Sequence, residues 1–174
     1  MKEIEVKILE IDVEETVRKI EQLGGVKTYD GEVITTYYDS QNKLQNNLDY
    51  QGRVLRLRRK DDRTEITYKE KLSDGQFKSM NEFETTIGDF KTMDTILWGI
   101  GFKPYRELTK RRISYSIGDV HFDIDTYNEF PTFLEIEAKT GNLVEEWVLK
   151  LGYTMNEAKP WTTRDVFKHY GKEM

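Results

Sequence analysis

The chain has no cysteine, only three prolines and only two histidines among its 174 residues. Without cysteine there is no disulfide framework, no thiolate zinc site and no cysteine nucleophile. That absence suits a reducing compartment. No apolar run approaches the ~20 residues of a membrane span. The opening Met1-Lys2-Glu3-Ile4-Glu5 lacks the apolar stretch of a signal peptide. Together these absences predict a cytoplasmic protein with no membrane partner. A Gly-x-x-x-x-Gly-Lys phosphate loop and a Gly-x-Ser-x-Gly elbow are also missing. No linker, low-complexity stretch or long charge block divides the chain, so one domain over residues 1–174 is expected.

What the chain has in excess is charge. Charged residues make up 34% of the sequence, against about 25% in an average soluble domain. The net charge of -5 argues against generic binding of a nucleic-acid polymer. The 21 aromatic residues (8 Phe, 3 Trp, 10 Tyr) argue for a packed fold.

The charge follows a pattern. In residues 2–9, Glu3, Glu5 and Lys7 alternate with Ile4, Val6 and Ile8, which is the period of a strand with one apolar face. Strands are also expected over 32–39, 53–60, 64–71, 77–87, 104–116, 119–127 and 132–139. Residues 40–52 read as a loop, and Asp61-Asp62 and Ser73-Asp74-Gly75 as turns. Helical spacing follows Asp12 (Val13, Val17, Ile20, Leu23), Asp89 (Phe90, Met93, Ile96, Leu97, Ile100) and Asn142 (Leu143, Trp147, Val148, Leu151). Each of these three is closed by glycine, and a fourth helix is expected from Thr162 or Thr163 to Lys172. The total is eight strands and three or four helices. Each half of the chain opens with Glu-x-Glu on a strand, passes through a helix and then presents bases on strands, an echo that reads as a duplication.

A solvated outer face explains any single alternating strand. It does not explain the whole set. The charges recur as same-sign pairs: Glu3/Glu5, Glu82/Glu84, Asp123/Asp125 and Glu135/Glu137 against Arg56/Arg58 and Lys110/Arg112, with Lys7 and Lys69 alongside. Like charges at i and i+2 share a face and repel. A sheet closed into a barrel, apolar side outward under helices, would turn these faces into a charged interior. Carboxylates there suit Mg²⁺ or Mn²⁺, hard cations with oxygen ligands. Arginine and lysine suit phosphate oxygens.

At this point the sequence resembles a known family. Glu3-Ile4-Glu5-Val6-Lys7 is similar to the Glu-x-Glu-x-Lys opening of the CYTH domain, the triphosphate tunnel metalloenzymes. Arg56-Leu57-Arg58, Lys69, Glu82-Phe83-Glu84, Lys110-Arg111-Arg112, and Asp125 followed by Phe133-Leu134-Glu135-Ile136-Glu137 continue the resemblance in order. It implies an α+β fold, an eight-stranded antiparallel closed β-barrel or tunnel with a charged lumen and helices outside. It implies Glu3, Glu5, Asp125, Glu135 and Glu137 as metal ligands, and Arg56, Arg58, Lys69, Lys110 and Arg112 as phosphate ligands. Lys7 and Glu5 are the implied catalytic residues, with Lys7 polarising the scissile bond or orienting the attacking group. Glu82, Glu84, Asp123, His121 and Lys159 are further lumen candidates. The C-terminal segment departs from the family: Thr162-Thr163 stands where a Ser-Tyr pair often begins the last helix. His169, Tyr37, Tyr38 and Trp98 are expected to be exposed (His169) or to pack (the rest).

Metal-dependent hydrolysis of a small triphosphate, inorganic or organic, is the leading expectation. A class IV adenylyl cyclase and a polyphosphate- or nucleotide-binding module without turnover are the alternatives. A homodimer is left open.

Overall fold

Alternation along the strands decides the architecture. The computed structural model describes residues 2–40, 52–61, 63–73 and 76–173. The strands are β1 (Lys2–Ile8), β2 (Val26–Ser40), β3 (Arg53–Lys60), β4 (Arg63–Ser73), β5 (Lys78–Ile87), β6 (Phe102–Ile117), β7 (Val120–Thr126) and β8 (Phe133–Ala138). They close into an antiparallel barrel in the order β1-β5-β4-β3-β2-β6-β7-β8. Four helices accompany it outside: α1 (Val13–Gln22), α2 (Phe90–Gly99), α3 (Gly141–Lys150) and α4 (Thr163–His169). The expected loop at 40–52 and the turns at 61–62 and 73–75 fall mostly on residues outside those described. Asp61 itself has a positive φ of 51°, in keeping with a turn.

Two compact units interleave along the chain. One holds residues 32–72 and 80–109, the other 2–31, 73–79 and 110–174. They do not follow the two halves of the sequence echo. In the second unit the apolar faces of β1, β7 and β8 (Val6, Ile8, Phe122, Ile124, Leu134, Ile136) pack under α1 and α3 through Ile20, Val144, Trp147 and Val148. The Phe122 and Trp147 rings meet edge-on, with centroids 5.3 Å apart. In the first unit, Tyr38 and Leu57 pack under Leu97 of α2. The Tyr38 hydroxyl donates to Asp94 at 2.7 Å, tying β2 to α2.

Asp12 and Asp89 cap α1 and α2 as expected, accepting from Glu15 N and Thr92 N. Gly101 (φ 94°) and Gly152 (φ 86°) close α2 and α3 in the left-handed region that favours glycine. The cap of α3 is Thr140, not Asn142: its extended backbone places the hydroxyl on Leu143 N, so the helix begins earlier. Strand β2 starts six residues before the expected position. Residues 26–31 are mostly exposed on both faces, so no apolar alternation marks them. Trp98 does not pack as expected; it is 47% exposed, with the Lys103 ammonium 4.5 Å from its ring centre.

Phe122→Ala should destabilise the fold by about 3–5 kcal/mol, the range for emptying a packed aromatic site. Urea unfolding checks this. A loss below about 1 kcal/mol would mean that the sheet does not depend on its packing under α3.

Candidate active site

The packing of β1 and β8 under the helices forces their other face away from them. Across the β1–β8 pair, Glu5 stands opposite Glu137 and Lys7 opposite Glu135. Across β8–β7, Glu137 stands opposite His121 and Glu135 opposite Asp123. Across β7–β6, Asp125 stands opposite Arg112 and Asp123 opposite Ser114. Three rows of polar side chains therefore share one face of the second unit. Each is locked in register by the apolar residues between them.

Among the described residues, Glu5, Glu135 and Glu137 each bring a carboxylate oxygen within 4.8 Å of the others. Lys7 is 1% exposed and sits among them, donating to Glu5 Oε1 at 2.8 Å and Glu135 Oε2 at 2.6 Å. Burial works against the Lys7 charge, but Glu135 and Glu5 outweigh it and hold its pKa above the ordinary value. Burial likewise pulls the Glu135 carboxyl up. Lys7, Arg112, Lys78 and Lys110 outweigh it and hold Glu135 well below the usual carboxylate range.

A second cluster lies beside the first. Asp125 accepts from Arg112 Nε and Nη2 and from Lys110 Nζ, each at 2.6 Å. Arg112 also pairs with Asp123, which accepts from Ser114 Oγ at 2.6 Å. Burial opposes ionisation of Asp125, and the two bases overcome it, so its pKa is lowered. Burial and Arg112 push the Lys110 ammonium down to about 8, against the partial support of Asp125 and Glu135.

The first unit carries its own charged face. Arg56 pairs with Glu82 at 3.6 Å, and Lys69 pairs with the same carboxylate. Arg58 lies 3.8 Å from Glu65 and 3.7 Å from Glu84. Thr67 Oγ1 donates to Glu84 at 2.8 Å. Burial raises the Glu84 pKa, with Glu65 and Glu82 adding to it and Thr67 opposing.

The expected site residues therefore separate. Glu5, Glu135 and Glu137 come together. Asp125 is held by two bases instead, and Glu3 lies outside the carboxylate group. His121 is exposed, one row beyond Asp123 and across from Glu137. Lys159 pairs its backbone with Lys7 at 2.8 Å in both directions, but its ammonium bonds the Asn156 carbonyl at 2.7 Å, away from the carboxylates. Sequence reasoning missed Lys78, whose Nζ donates to Glu5 Oε1 at 2.7 Å. Its parity with Glu82 and Glu84 is the signal that could have found it.

The donor set fits a hard divalent cation. Three carboxylates supply oxygen ligands only, of the kind Mg²⁺ and Mn²⁺ prefer.

The strands of the closed antiparallel barrel carry carboxylates and bases on the face opposite their apolar residues. The signature of the CYTH domain matches residues 1–158, and the chain belongs to that family. No curated protein matches it in sequence. Among solved structures, the chain is similar to the PH1012 protein of Pyrococcus horikoshii OT3, with 26% identity, 92% of this chain and 96% of that one covered, and a TM-score of 0.75. A candidate adenylate cyclase from Vibrio parahaemolyticus shares 16% identity over 95% and 97% of the two chains at a TM-score of 0.82. HpAC1 from Hippeastrum, a candidate adenylyl cyclase with a dominant triphosphatase activity, shares 17% identity over 99% and 97% at a TM-score of 0.64. No helix among the described residues is long and apolar enough to cross a membrane.

Lys110 should titrate near pH 8, well below the 10.5 of an isolated lysine. The unfolded chain then binds more protons than the native one between those values, so this group's contribution to stability rises with pH across that window. Carbon-13 NMR of the lysine ε-carbons checks it, and Asp125→Asn should move the midpoint lower still. A midpoint at the ordinary lysine value would exclude the buried, Arg112-facing setting.

Proposed function

We propose that the protein is a divalent-metal-dependent triphosphatase acting on a small triphosphate. The observation that carries this reading is the convergence of the Glu5, Glu135 and Glu137 oxygens within 4.8 Å, with Lys7 bonded among them. Simple anion binding needs bases and gains nothing from three crowded carboxylates. Those carboxylates would hold Mg²⁺ or Mn²⁺, and a bound metal supplies charge neutralisation along the phosphate chain and a more acidic water.

The residues of the chain then divide the work. Lys110, Arg112, Arg56, Arg58 and Lys69 are the proposed phosphate ligands. The arginines act as planar forks and the lysines as point charges. Hydrolysis is the attack of water on the terminal phosphorus, with the bond to the bridging oxygen breaking. The Lys7 ammonium, held charged by Glu135 and Glu5, lends positive charge to the phosphoryl oxygens as negative charge builds there. It has no proton to give up near neutral pH, so its role is electrostatic. Glu5 fixes Lys7 in that position. The Asp125–Lys110–Arg112 cluster loses part of its internal pairing as phosphate enters, because both bases then serve two anions.

Cyclisation of ATP needs the same charged frame plus a firm adenine pocket, and the chain has no local base-reading motif. Hydrolysis needs only the frame. The dominant triphosphatase activity of HpAC1 is consistent with that preference.

Offering the pure protein tripolyphosphate, thiamine triphosphate and ATP with Mg²⁺ or Mn²⁺ should release orthophosphate without cyclic AMP. Cyclic AMP as the main product would replace this reading with the cyclase. Glu135→Gln combined with Glu137→Gln should lower metal-dependent turnover by roughly 10²-fold or more, the scale of losing a transition-state electrostatic contact. Turnover at the unaltered rate would remove the metal assignment. Arg56→Ala should raise KM for the triphosphate about tenfold, as expected for a lost charge-assisted contact. Its urea midpoint should move little; unfolding with unaltered specific activity in the folded fraction would show a structural role only.

A further inference from the structure

We propose that Lys78 is a tethered counter-ion of the carboxylate triad: it neutralises Glu5 while no divalent cation is bound, is displaced when one binds, and so sets the affinity of the metal site. The proposal rests on the reading of Glu5, Glu135 and Glu137 as metal ligands. Lys78 belongs to no part of the catalytic role given above to Lys7.

Two ammonium groups bond the same oxygen. Lys78 Nζ lies 2.7 Å, and Lys7 Nζ 2.8 Å, from Glu5 Oε1. A carboxylate oxygen has two lone-pair sites, so both are taken. A cation that takes Glu5 through this oxygen must displace one of the two lysines. Lys7 is the harder to move. It is fixed by Glu135 as well, and its side chain is 1% exposed. The Lys78 side chain is more open to solvent, at 12% exposed.

The backbone of Lys78 is anchored by its neighbour. Phe77, its neighbour on the opposite face, packs into the core of the second unit. Its ring lies against Gly141 so closely that a Cβ there would stand 2.7 Å from Phe77 Cε2. Glycine at the first position of α3 is thus what lets Phe77 seat and Lys78 face Glu5.

The charges set the sign. Lys78 competes with a cation for Glu5 Oε1. With the lysine removed, a divalent ion meets one fewer competitor there. Lys78→Gln should therefore bind Mn²⁺ about tenfold more tightly at low ionic strength, the scale of removing one unit charge a few ångströms from a divalent ion in a solvated site. Lys78→Arg keeps the charge and should stay close to the unaltered protein.

The measurement is the Mn²⁺ dissociation constant of the substrate-free protein, read from the electron paramagnetic resonance signal of free Mn²⁺. It covers the unaltered chain, Lys78→Gln, Lys78→Arg and the Glu135→Gln, Glu137→Gln double variant. If the unaltered chain binds no Mn²⁺, or the double variant binds as well as it does, the triad is not the metal site and the underlying reading fails. If the unaltered chain binds, the double variant does not, and Lys78→Gln is no tighter, Lys78 is no counter-ion and the proposal alone fails. Should Lys78→Gln not fold, the unaltered protein serves with Mg²⁺. The Lys78 ammonium protons, assigned by their disappearance in Lys78→Arg, should exchange faster with water as Mg²⁺ saturates the site. Unchanged exchange at saturation overturns the proposal.

Discussion

Glu5 and Glu137 stand opposite each other on β1 and β8, with Glu135 on the same face. The rest of the second unit accommodates this crowding. Two unit charges at the 4.8 Å that bounds the triad repel by about 3 kcal/mol at an effective dielectric near 20. Three such pairs cannot stay ionised without cations, and burial adds to the cost. The chain answers with Lys7 and Lys78 on Glu5, Lys7 again on Glu135, and the charges of Arg112 and Lys110 close by. A structure that carries its own cations around a carboxylate triad is poised to exchange some of them for others. Metal chemistry becomes reasonable here because the site is already balanced for positive charge.

The same strands that crowd the charges also hold them in place. Between Glu5 and Lys7 lies Val6; between Glu135 and Glu137 lies Ile136; between Asp123 and Asp125 lies Ile124. All three apolar residues are essentially without solvent exposure in the core under α1 and α3. A one-residue slip of any of these strands would send charge under the helices and apolar groups to the opposite face. The hydrophobic side of each strand therefore enforces the electrostatic side. This coupling is why the outer core bears on the candidate site.

Much of the barrel and part of the site were legible in the sequence, for the same reason. Alternation located seven strands, β3 to the residue, because one face of each is apolar; β2 was legible from its Val, Ile, Thr and Tyr content. The beginning of β2 was hidden because residues 26–31 bury neither face. Glu5, Glu135 and Glu137 were legible as same-face acids and do converge. Asp125 has the same parity and the same chemistry, yet it joins Lys110 and Arg112 rather than the triad. Which base an acid meets depends on the neighbouring strand, and pairing across strands is not written in either strand alone. Lys78 was obscured because Met80 follows it on the same face, diluting the charged pattern that makes Glu82 and Glu84 conspicuous.

The C-terminal segment shows how a departure in sequence can leave a structural role in place. Thr162 and Thr163 replace the pair that resemblance led one to expect, but Thr162 and Asp165 form a reciprocal capping box that starts α4 cleanly. The helix then seats Phe167 edge-on against Tyr127 and Phe130. Tyr127 stacks with Phe133, and these two rings each lie 5.7 Å from an ammonium, Lys110 for Tyr127 and Lys7 for Phe133. The segment before α4 pairs its backbone with Lys7 through Lys159. What the C-terminus contributes is therefore an aromatic wall and a backbone clamp, not another ammonium. Beside Tyr127, the Lys110 charge is opposed by burial and by Arg112 and only partly restored by Asp125 and Glu135. Lys7, behind the same wall, keeps its charge because two carboxylates bond it directly. The two lysines thus shift in opposite directions: Lys7 is bonded by two carboxylates, whereas Lys110 bonds one and also faces the like charge of Arg112.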